Sequence, residues 1–154
     1  MADLKLTIEL VPEPCWYNNM RKVLTPDQWD TVRREVYQRY HHSCGICGAQ
    51  NARLSCHEIW AYDDAVHIQK LAGFIALCEL CHHVKHIGYA GLLASEGKLD
   101  MQAVIAHFCQ VNACTADEFT QHEAAAFDLW NKRNQFEWVT YLGEYQHLVN
   151  KESS

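Results

Sequence analysis

The sequence predicts an α+β fold, a small cysteine-stapled hairpin and helix with additional helices packed before and after it. Three observations point to it. Two CxxC pairs, Cys44/Cys47 and Cys78/Cys81, stand thirty residues apart. Extended patterns lie between them. Two capping-box signatures, Thr25-Pro26-Asp27-Gln28 and Thr115-Ala116-Asp117-Glu118, open helices on either side.

Taken in order, Leu4, Leu6, Ile8 and Leu10 alternate with polar residues, which predicts a short strand before the turn chemistry of Pro12 and Pro14. The first capping box, with proline at the first helical position, starts a helix to about Tyr40 whose buried stripe is Trp29, Val32, Val36 and Tyr37. Ser43 to Gly48, SCGICG, is a cysteine knuckle, since small residues let backbone amides turn toward thiolates. Arg53 to Trp60 reads as a strand, Tyr62-Asp63-Asp64 as a turn, and Lys70 to Leu77 as a second extended piece. ELCHHVKHIGYAGLLA, after Cys78, has helical spacing and is broken at Gly97. Asp100 caps a helix to Val111, and the second capping box starts one to about Asn134. The chain divides as a single domain, 1–154: an N-terminal strand and helix (1–42), a stapled unit (43–92) and C-terminal helices (98–148). Lys151 to Ser154 is expected to fray.

The chain has 154 residues, 49% of them hydrophobic, enough for one core. No apolar run approaches the roughly 18–20 residues of a membrane span, and Asp3, Lys5 and Glu9 interrupt any secretory-type stretch. The expectation is a cytoplasmic protein with no membrane association. Its eight cysteines would then stay reduced, and paired CxxC spacing favours metal over bridges. Four thiolates make the closed tetrahedral shell of a structural Zn²⁺, the role assigned to Cys44, Cys47, Cys78 and Cys81. Cys15, Cys109 and Cys114 fit no such spacing and read as small buried hydrophobes. A formal charge of −6 excludes a general nucleic-acid sponge, so any contact with DNA or RNA must be local.

His82 and His86 are four apart on the expected helix, so two imidazoles can share one ion. Their direction lies roughly a quarter turn from that of Cys78 and Cys81, which leaves room for two sites. The alternative makes them surface residues or partners of the zinc thiolates. His83 points elsewhere, a spectator or a substrate contact. In Cys56-His57-Glu58, on the first strand, a histidine with a near-neutral pKa can serve as general base. Alternatively His57 bonds within the hairpin, or Cys56 and His57 are zinc ligands.

CGIC, CHEIW and LCELCHHVKH together resemble the zinc-containing CxxC/CxxC branch of the HNH (His-Asn-His) endonucleases, over about Cys44 to His86. The resemblance implies a ββα-metal fold and metal-dependent hydrolysis of nucleic-acid phosphodiesters, with DNA the expected partner. It puts His57 at the general base, His82 at the helix metal-ligand position and His86 at the last histidine of the motif. It brings Lys85 toward phosphate, with His83 as a second nucleic-acid contact. The catalytic ion is then a second divalent cation, Mg²⁺, Mn²⁺, Ni²⁺ or Zn²⁺. Two positions depart from the pattern: Cys56 stands where the family often has an Asp or His ligand, and no Asn occurs around Gly73 and Phe74. Cys56 as a soft ligand favours zinc, whereas Glu58 can supply an oxygen instead.

The alternative function is a non-catalytic zinc module binding nucleic acid or protein through Trp60, Tyr62 and exposed histidines. A further reading gives the C-terminal helices a protein partner or a second copy of the chain through Trp130, Phe136 and Trp138, although aromatic residues at helical spacing more often belong to a core.

Overall fold

A computed structural model describes residues 3–152. The fold is α+β, and its middle is a hairpin followed directly by a helix. Strand β1 (Leu54–Asp63) pairs antiparallel with β2 (Ile68–Cys78), with a register shift at Ile59/Trp60. The chain reverses at 64–67, just beyond the expected turn, where Asp63 Oδ1 accepts the amides of Ala65 and Val66. A third strand, β3 (Val139–Tyr141), adds in parallel to the start of β2, giving the order β1-β2-β3 and leaving β1 at one edge.

Both faces of the sheet are covered. Helix α1 (Met20–Val23) and helix α2 (Pro26–Arg39) lie on one side. The capping box forms as expected, Thr25 accepting the Gln28 amide and Gln28 accepting that of Thr25. Trp29, Val32 and Val36 of α2 are buried in one cluster with Leu71, Phe74 and Ala76. On the other side, α3 (Glu79–Lys85), α4 (Ile87–Ser95), α5 (Met101–Asn112) and α6 (Ala116–Arg133) build a second core, with Leu77, Val84, Val104, Phe108 and Phe119 at its centre. Ala76 and Leu77 fall in different cores because successive strand residues face opposite ways. The helix expected after Cys78 is two helices: His86, at φ −110° and ψ 50°, ends α3 and begins α4.

The N-terminal strand is not formed. Leu6 and Ile8 are buried as the alternation requires, yet no strand among the described residues pairs with them. Side chains of the C-terminal helices take the hydrogen bonds a neighbouring strand would have supplied. Asn112 Oδ1 accepts the amides of Lys5 and Leu6, Asn112 Nδ2 donates to Leu6 O, and the Ile8 amide donates to His122 Nε2 at 2.9 Å. An extended segment thus satisfies its backbone without joining a sheet. After β3 the chain ends in α7 (Gln146–Glu152), so residues 151 and 152 continue a helix, and the rest of the stretch expected to fray lies outside the described residues. No helix among the described residues is long and apolar enough to cross a membrane.

Candidate metal centre

The knuckle and the start of α3 bring Cys44, Cys47, Cys78 and Cys81 together, their sulfurs within 4.8 Å of one another. Cys47 Sγ and Cys78 Sγ are 3.6 Å apart. A disulfide needs about 2.05 Å. Two thiolates on tetrahedral zinc, each about 2.3 Å from the ion, are separated by about 3.8 Å. The four sulfurs can therefore hold a metal ion such as zinc. The loop is shaped for it, with Gly48 at φ +77° donating its amide to Cys44 O. Gly45 donates to Ala76 O, tying the knuckle to β2, and a Cβ there would lie 2.8 Å from both Ile75 Cγ1 and Tyr40 Cε1.

Without a cation the four thiols oppose one another. The hydrogen bond from Cys81 pulls Cys44 down to about 4, while burial pushes Cys78 up to about 11 and the bond to Cys44 drives Cys81 higher still. A divalent ion removes that conflict by binding all four as thiolates. Sequence reasoning missed one neighbour: His107 of α5 places Nε2 3.2 Å from Cys81 Sγ. Only the fold brings it there.

The second cluster comprises His57 of β1 with His82 of α3 and His86 at the junction of α3 and α4, one ring nitrogen from each lying within 4.8 Å of the others. The ring centroids are 5.6 Å apart for His57 and His82, 5.0 Å for His57 and His86, and 4.7 Å for His82 and His86. His57 is 5% exposed, and its Nδ1 is buried with no hydrogen-bond partner. Such an orphan is rare in a folded protein. Burial first, then the neighbouring His86 and His82, pushes His57 down to about 2. Burial likewise takes His82 to about 4 and lowers His86. All three rings are consequently neutral at neutral pH, the state in which imidazole ligates a metal. The donor set fits a divalent transition ion.

The other expected residues are placed as follows. Cys56 turns to the opposite face of β1, packs against the α2 cluster and is pushed up to about 12 by burial, so it is not among the grouped donors. Lys85 is 5% exposed and its Nζ donates to Glu9 Oε1 at 2.9 Å and Thr7 Oγ1 at 3.0 Å, engaged within the protein rather than free toward phosphate. His83 lies 3.6 Å from Glu79 Oε1. Phe74 is buried, its ring edge-on to Trp29. Phe136 stacks on His67 and Trp138 meets Tyr62 edge-on, so both close the hairpin end, while Trp130 donates its indole N–H to Val11 O.

The imidazoles open onto a polar cleft of about 520 Å³ along β1, whose charged walls are Arg21, Arg33 and Arg53 with Asp30 and Glu58, Arg33 Nε donating to Asp30 Oδ1 at 2.8 Å. Local positive charge thus accompanies a chain of net charge −6. No sequence motif announced these arginines, which come from α1, α2 and the residue before β1. Comparisons with protein-family models, curated proteins and solved structures returned no match for the chain.

Proposed function

We propose that the protein is a metal-dependent nuclease hydrolysing phosphodiester bonds at the His57/His82/His86 cluster, built on an HNH-like ββα unit that a structural Zn²⁺ staples through Cys44, Cys47, Cys78 and Cys81. The observation that carries this reading is the convergence of three neutral imidazoles, that of His57 buried and those of His82 and His86 half-buried, in the lining of a cleft that also carries three arginines. A bound divalent ion supplies Lewis-acid polarisation of the phosphate and lowers the pKa of water.

The residues divide the remaining work. His57, His82 and His86 hold the ion, and the depressed basicity of His57 suits it to ligation better than to proton abstraction. This reading moves His57 from general base to ligand. Arg21 and Arg53, with the terminal guanidinium nitrogens of Arg33, whose Nε is held by Asp30, receive the anionic backbone, the task first given to Lys85. Nucleic acid, DNA first among candidates, is the substrate whose charge such walls complement.

The test incubates supercoiled plasmid, linear duplex and single-stranded DNA with the purified protein and Mg²⁺, Mn²⁺, Ni²⁺ or Zn²⁺, with chelator controls and His82→Ala and His86→Ala alongside. Metal-dependent cutting lost in both variants is expected. No cutting with any ion, by folded protein carrying one zinc per chain, would overturn catalysis on these substrates and favour the non-catalytic zinc module.

A further inference from the structure

The polar cleft is not the only space at the imidazole cluster. A second cavity of about 560 Å³ adjoins it, and Asn19, Glu58 and His86 line both. Its remaining walls are mostly apolar and aromatic, among them Trp16, Trp60, Tyr89, Leu92, Phe127 and Trp130. Two of the indoles are pinned by one backbone atom: Val11 O accepts Trp16 Nε1 at 2.7 Å and Trp130 Nε1 at 3.1 Å. Trp16, Tyr89 and Leu92 remain 53%, 61% and 54% exposed, much apolar surface to leave in water beside a charged cleft.

Side by side, the two spaces match the two halves of a nucleotide. The polar cleft, whose three arginines outnumber Asp30 and Glu58, suits an anionic phosphate, and the adjoining aromatic cavity suits a flat, weakly polar ring. A base paired within a duplex cannot enter such a cavity, because its faces are stacked and its edge is bonded. An unpaired base brings a free π-face to aromatic walls, the interaction through which single strands are held without sequence preference.

We propose that this cavity receives one unpaired nucleobase of the strand whose phosphate lies at the imidazole cluster, making single-stranded or locally opened nucleic acid the preferred ligand. The proposal rests on the nucleic-acid reading above and gives that site its substrate class. Each stacked base strengthens binding by about five- to 140-fold.

The test is equilibrium binding of the intact protein, by fluorescence anisotropy and without added divalent ion. The probes are a labelled single strand, its blunt duplex and an abasic strand of the same length. The single strand is expected to bind about tenfold tighter than either of the others. Tyr89→Ala and Trp16→Ala, at exposed positions where circular dichroism and zinc content check the fold, should remove most of that advantage and leave abasic binding unchanged. Arg33→Ala should weaken all three probes alike. Equal affinity for base-bearing and abasic strands, or indifference to both aromatic substitutions, overturns the proposal, as does a total absence of binding. The base preference is independent of turnover. A preference without cleavage retires the nuclease and keeps the cavity, whereas cleavage without a preference does the reverse.

Discussion

His57 and His86 meet edge-on with ring centroids 5.0 Å apart, one presented by an edge strand and the other by the residue at which α3 gives way to α4. The contact joins hairpin to helix through two rings that burial keeps neutral, and it leaves His57 Nδ1 without a partner. An unbonded buried nitrogen costs stability, a cost that the proposed metal ion would offset.

His57→Leu should therefore separate stability from function. It removes the orphaned nitrogen and fills the space with apolar atoms, so the thermal midpoint should stay level or rise. Binding of a second divalent ion, followed by calorimetric titration of zinc-loaded protein, should weaken by more than the roughly 10–100-fold typical of losing an outer-shell partner. Unchanged ion affinity together with lost cleavage would return His57 to the general-base role.

The parts of this site legible in the sequence are the local ones. The CxxC pairs, the His82/His86 spacing and the helix caps each lie within a few residues and appear where their spacing places them, the box at Thr25 complete and that at Thr115 made only by its hydroxyl accepting the Glu118 amide. Alternation at Leu4 to Leu10 reports which residues are buried, not what bonds the backbone between them, and the partners are Asn112 and His122, more than a hundred residues away. Three residues of β3 are too few to show a period. The Arg21, Arg33 and Arg53 wall and the Lys85–Glu9 pair exist only once distant segments meet.

His107 should strengthen the cysteine site from outside it. Its Nε2, 3.2 Å from Cys81 Sγ, can donate to the thiolate and stabilise its charge. Zinc release to a competing chelator should accelerate about 10–100-fold in His107→Ala. His107→Gln retains N–H donors and should recover part of the loss. Equal release from all three proteins would make the contact mere packing.

Lys85 and Glu9 should respond unequally to being parted. The Lys85 side chain is 7% exposed and that of Glu9 47%, so removing the lysine leaves a carboxylate that water can solvate. Lys85→Met should cost about 1.5–3 kcal/mol in urea unfolding, the worth of a charged hydrogen bond. Glu9→Ala strands a buried ammonium and should cost more, toward about 3–5 kcal/mol. If Lys85 reaches phosphate instead, Lys85→Met will weaken DNA binding at unchanged stability.

The clamp on the N-terminal segment should be sensitive to acid through His122. Its Nε2 accepts the Ile8 amide, which a protonated ring cannot do, and its ring stacks on Phe108. Burial first, and then the positive charge of Lys85, lowers its pKa below the ordinary 6.5. The unfolded chain therefore takes up the proton more readily than the folded one. The stabilisation is present above about pH 6.5 and is lost as pH falls through the lower folded value. The other buried histidines titrate in the same direction, so the informative quantity is the gap between the wild type and His122→Phe, which keeps the stack and loses the acceptor. At pH 8 the wild type should be more stable by roughly 1 kcal/mol. Urea unfolding at half-unit steps should show the gap closing toward pH 5, and a constant gap would mean that the Ile8 amide draws no stability from the ring.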